Sequence, residues 1–130
     1  MQIWDGAEWQ GDHGRAAPLM GAVDGTSQTL SVDRVDGRWI AVSKRGGDLA
    51  NTMTEWSSDT PTGPWTATDV LPSPAGLDTG NLQYTPLAHP DIKTPSGSLL
   101  VSVSRNTTDI ERIIEEPTRG RVLFAEVPRV

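Results

Sequence analysis

Apolar and polar residues alternate in short runs along this chain, and turn-forming residues separate the runs. Thr29-Leu-Ser-Val-Asp-Arg-Val35 sets Leu30 and Val32, and after a slip Val35, against polar neighbours. Asp36-Gly37 then supplies a two-residue turn, and Arg38-Trp-Ile-Ala-Val-Ser43 returns, which is the pattern of a β-hairpin. The returning run is almost continuously apolar, as expected of a strand covered on both faces. Asn51–Trp56 and Trp65–Val70 read as two further strands, joined by Ser57-Ser-Asp-Thr-Pro-Thr-Gly-Pro64. In that connection Asp, Ser and Thr can bond nearby backbone, Pro61 presets φ, and Gly63 can supply a positive φ. The two tryptophans that flank it are expected to pack against a neighbouring layer, making the stretch a structural clasp. Residues 29–70 thus predict four consecutive antiparallel strands, one blade of a β-propeller.

A second unit follows in residues 71–130. Leu71–Gly80 predicts a connection, and Tyr84–Ile92 an extended strand interrupted by prolines. Pro95-Ser-Gly97 predicts a turn, and Ser98–Ser104 a strong strand. Asp109–Glu116 predicts a short helical turn capped by Thr108 or Asp109 and stopped by Pro117, and Gly120–Val127 a last strand. The two units overlay at an offset of about sixty residues, each with a turn leading into a strand that ends in serine and a basic residue: Ser43-Lys44 and Ser104-Arg105. Such a repeat favours blades over a sandwich. Upstream, Ile3–Trp9 places Asp5-Gly6 between two tryptophans and predicts a tight turn or the edge of a sheet. Residues 1–28 as a whole read as the trailing strand and loop of a preceding blade. The predicted fold is therefore all-β: antiparallel four-stranded blades, about two of them plus an extra strand, in an incomplete ring.

Composition narrows the function classes. The chain has 130 residues, enough for one ordinary domain with a core. Eleven basic against seventeen acidic residues give a net charge of −6, so the footprint for neutralising phosphates is missing and nucleic acid is not an expected partner. No apolar run approaches membrane-spanning length, so no membrane partner is expected. The start, Met1-Gln-Ile-Trp-Asp-Gly6, has neither a basic nor an apolar signal region, which leaves the compartment open and a secreted full-length protein compatible. Without cysteine there are no disulfides or thiolate metal sites. Thirteen glycines and ten prolines suit a turn-rich β protein.

Trp4-Asp5-Gly6 with Trp9, Leu30-Ser-Val32, Ser57-Ser-Asp-Thr-Pro-Thr-Gly-Pro-Trp65, and His89-Pro90 before Leu99–Ser104 and Asn106 together resemble the C-terminal part of a five-bladed β-propeller. The family they resemble most is the endo-D-arabinanase-like group, catalogued as domain of unknown function 4185, with arabinanase and xylosidase propellers more distantly similar. The resemblance covers nearly the whole chain. It implies a glycoside-hydrolase-like protein acting on an arabinan-like furanoside polysaccharide. Five blades need roughly twice this length. By the resemblance the cleaving carboxylates belong mainly to earlier blades, so the catalytic residues stay unassigned, and this stretch would contribute part of the substrate cleft.

Glycosidases need two carboxyls facing one cleft, roughly 5 to 9.5 Å apart. Asp33 on the first strand of one unit and Asp91 on the equivalent strand of the next could converge, because innermost strands line a propeller axis. An outward polar residue and a turn cap are the competing readings of the two. His89 is the foremost substrate-binding candidate: Pro90 holds its backbone extended, and its imidazole could bind a sugar hydroxyl, orient a carboxylate or ligate a metal, with a buried structural hydrogen bond as the competing reading. Arg45 and Asn106, at matching strand ends, could reach the cleft mouth or be solvated loop ends. Glu55 reads as a satisfied or solvated face residue, and His13 as a solvated loop residue. One histidine beside one aspartate is too little for a metal site, so no metal or cofactor is expected. Partners are expected to be polysaccharide or oligosaccharide, with self-association or a missing N-terminal part of the propeller as further possibilities. A non-catalytic carbohydrate-binding module and a structural assembly fragment are the alternative readings.

Overall fold

The computed structural model describes residues 2–21 and 24–129; Met1, Ala22, Val23 and Val130, and with them part of the expected 1–28 connection, lie outside the described residues. The chain is all-β with antiparallel pairing throughout its three sheets. A small hairpin pairs β1 (Ile3–Trp4) with β2 (Trp9–Gln10). Its connection is four residues long, not a tight Asp-Gly turn: the Asp5 carboxylate accepts from the amides of Ala7 and Glu8, both at 2.9 Å, and Trp4 and Trp9 meet edge to face at 5.7 Å.

The four-stranded sheet forms as the alternation predicts, in the order β3 (Ser31–Val35), β4 (Arg38–Lys44), β5 (Thr52–Ser58), β6 (Thr66–Pro72). Asp36 (φ +50°) and Gly37 (φ +88°) make the hairpin turn between β3 and β4, both in the left-handed region that a primed turn requires. The Trp56–Trp65 clasp is held from within: Gly63 sits at φ +91°, Thr60 Oγ1 donates to its carbonyl at 2.6 Å, and Trp56 is buried.

The second sheet corrects an expectation. It has three strands, not four: β7 (Asn81–His89), β8 (Leu99–Thr107) and β9 (Leu123–Val127). The polar stretch after β8 forms the expected helical turn, α1 (Ile110–Glu115), whose amide at Glu111 is capped by Asp109 at 3.1 Å, and then a 3-10 turn opened by Pro117. Asp91, by contrast, falls in the turn beyond β7 and not on the strand. The chain folds back there, with the Ile92 amide donating to the His89 carbonyl.

The core lies between the two larger sheets. Ile40, Val42 and Met53 from one face Leu99, Val101, Val103 and Val127 from the other. Alternate positions of β4 and β8 point into this layer, and β4, unlike β8, is buried on its other face as well, which fits its continuous apolar run. The first strands of the two sheets also meet: Ser31 Oγ on β3 accepts from the Ala88 amide on β7 at 2.9 Å. Connections 45–51, 73–80 and 108–122 all fall at one end of the strands, the end where β7 begins.

Candidate functional site

Strand β7 is the element that positions the site, and its two ends differ. At its far end His89 pairs with Leu100 on β8, so its ring lies on the face of the sheet turned away from the core. There Nε2 shares a 2.7 Å hydrogen bond with Ser102 Oγ, and the ring packs 6.2 Å from Phe124. Asp33, on β3, is within electrostatic reach of both Asp91 and His89. Its Oδ2 is buried and has no hydrogen-bond partner among the described residues. Burial, and then the negative charge of Asp91, push its carboxyl above the usual range, while His89 pulls it partly back. Three of the five residues singled out from sequence are thus neighbours.

The other two are elsewhere. Arg45 pairs with Asp69 on β6 at 3.4 Å, and that carboxylate also accepts from Thr54 Oγ1 at 2.7 Å. The Thr54 bond, reinforced by Arg45, holds Asp69 below the ordinary carboxylate value. Asn106 lies at the starting end of β7, paired with Leu82. Its amide donates to the Tyr84 hydroxyl at 3.4 Å and its carbonyl accepts from the Thr107 amide. Glu55 is buried, so it is not a solvated face residue.

That starting end holds what the sequence did not announce. Thr85 occupies a left-handed backbone (φ +46°) where the β7–β8 register slips between Tyr84 and Leu87. A β-branched residue there is strained by about 1–3 kcal/mol and persists only when its surroundings fix it. Here Pro86 follows, buried, and Thr85 Oγ1 donates to Ser104 Oγ at 2.8 Å. Beside the bulge opens a cavity of about 260 Å³. Leu49, Leu77 and Tyr84 give it an apolar lining, and Gln28, Asp48 and Gln83 bring polar groups to it. Asp48 is held in place by accepting the Gln28 amide at 3.0 Å.

Underneath, Lys44 is fully buried, its Nζ donating to the carbonyls of Ala50 at 2.9 Å and Gln83 at 2.6 Å. It ties the 45–51 connection to β7. Burial pushes its ammonium below the usual lysine range, an effect partly offset by Asp48. The signals for this end were present in the sequence: a Thr-Pro inside a strand pattern, which forces a bulge, and a lysine at the close of an apolar run. Among the described residues no three histidine, aspartate or glutamate side chains gather as a metal site would require. Among the described residues no helix is long and apolar enough to cross a membrane.

The geometry defines an antiparallel all-β domain with a cavity at the start of β7 and, toward its other end, His89 and Asp91 within electrostatic reach of Asp33. Residues 2–122 match the model of a domain of unknown function (DUF5005), and the chain belongs to that family. No curated protein matches it.

Proposed function

We propose that this chain supplies one wall of a carbohydrate-binding cleft in a β-propeller resembling the arabinanase type, its two larger sheets being adjacent blades. The cleft would take a furanoside polysaccharide, and the bond-cleaving residues would lie outside this stretch. The observation that carries the reading is the cavity beside Thr85. Its apolar walls, with Tyr84 among them, suit the C–H faces of a sugar. Gln28, Asp48 and Gln83 offer the mixture of donors and acceptors that ring hydroxyls need. Two sheets packed face to face, with first strands in contact and long connections at one end, support the blade assignment. The second cluster, Asp33 with His89 and Asp91, would contact sugar farther along the same strand.

Calorimetric titration with arabino-oligosaccharides tests the proposal. Saturable binding is expected, with Tyr84→Ala weakening it about tenfold, a loss of about 1.4 kcal/mol, and no reducing ends released. Absence of binding at millimolar sugar, or equal binding by Tyr84→Ala, overturns it. Release of reducing ends would overturn the assignment of catalysis to residues elsewhere.

A further inference from the structure

Next to the Tyr84 cavity lies a second recess of about 350 Å³, and the two share Leu82 and Gln83 as lining, so they are neighbours on one track along the start of β7. The second recess is polar, lined by Asn81, Gln83, Arg105, Asn106 and Arg119, with Leu123 at one side. Arg119 is already engaged, donating to Asn81 Oδ1 at 3.2 Å and paired with Glu116 at 2.9 Å. The Arg105 guanidinium is not: half-buried on β8, where the backbone pairs with Gln83, the side chain makes no hydrogen bond or ion pair among the described residues. A guanidinium without a counter-ion, in a chain of net charge −6, faces a recess furnished with amides. The next depression, lined by Arg112, Arg119, Glu115 and Glu116, balances its own charges and calls for no anion.

We infer that the recess is the subsite for a carboxylate-bearing sugar, a uronate, within a glycan whose neutral neighbour occupies the Tyr84 cavity. The planar fork of Arg105 matches a carboxylate in two parallel hydrogen bonds. The Gln83 amide can both donate to and accept from ring hydroxyls, and the Asn81 amide, whose oxygen accepts from Arg119, still has its NH2 to donate. Leu123 offers an apolar surface to the ring. The inference rests on the carbohydrate-cleft reading and adds the chemical class of the substrate.

The test is calorimetry with a galacturonic acid oligosaccharide and a neutral arabino-oligosaccharide of the same length, at low and at high salt, on the wild-type chain and on Arg105→Gln and Arg105→Lys. The acidic sugar is expected to bind about tenfold tighter at low salt, with the gap narrowing as salt rises. Arg105→Gln should abolish the preference and Arg105→Lys keep part of it, with thermal melts showing both variants folded. If neutral sugar binds but acidity adds nothing, or if Arg105→Gln keeps the preference, this inference falls and the cleft reading stands. If neither sugar binds, both fall. If inorganic phosphate alone competes as strongly as the uronate, the recess is a bare anion site and the inference is overturned.

Discussion

Lys44 and Arg105 hold matching places at the ends of β4 and β8, each following a serine and each on the same alternation as the core residues of its strand. Their fates are opposite. Lys44 is sealed beneath the 45–51 connection and β7, its ammonium spent on two carbonyls. Arg105 borders a recess, and its side chain makes no hydrogen bond or ion pair among the described residues. What separates them is the cover: the first sheet has the second packed over that end of its central strand. One basic residue has become a structural pin and the other a free functional group. A long cation at the edge of an apolar strand therefore says little until its neighbours are known.

The most direct way to break this contrast is to truncate each side chain. Lys44→Ala should cost about 3 kcal/mol in urea unfolding, because it opens a void where the buried side chain lay and leaves two part-buried carbonyls without their donor. Arg105→Ala should change stability by no more than about 0.5 kcal/mol. Equal losses at both positions would erase the distinction between pin and free group.

Gly76→Ala sharpens the same point from the connection between the sheets. Gly76 has φ +77°, and an added Cβ would sit 1.8 Å from the Asn81 carbonyl oxygen, so backbone must move where 73–80 meets β7. A loss of about 2–4 kcal/mol is expected. At Gly37, also left-handed but with open space around it, Ala should cost only about 1 kcal/mol.

The smallest effect belongs to the other end of the site. Because the folded state holds the Asp33 carboxyl above its ordinary value of 3.8, it binds protons there more readily than the unfolded chain. Its contribution therefore falls as pH rises from that value through the folded one, and stays unfavourable at neutral pH. Asp33→Asn should accordingly stabilise the chain at pH 7 by up to about 1 kcal/mol, and the gain should disappear in melts taken below the ordinary value. A destabilised Asp33→Asn at neutral pH would mean that the carboxylate has a partner that favours its charged form.

How much of this was legible follows from which forces are local. The Asp36-Gly37 turn, the four strands of residues 29–70, the Gly63 clasp and the Asp109 cap are written in short-range backbone preferences, and each appears at its expected place. The three strands of the second sheet and the helical turn after Thr107 were legible too; what failed was the extension of the four-strand count from the first unit to the second, which a repeat of turn and strand does not fix. The proximity of Asp33 to His89 and Asp91 was anticipated by pairing first strands. The cavity beside Thr85 was not, since it is bounded by three connections that only tertiary packing assembles. The pairing of Arg45 with Asp69 was not legible for a related reason: the partner lies two strands away, at a distance no run of sequence displays.

The Ser31 hydroxyl takes up a backbone amide of β7 that would otherwise look outward for a ladder. An edge stopped in this way is a poor template for a stray strand. A single oxygen thus occupies a donor that another strand could otherwise use, and Ser31→Ala would set that amide free.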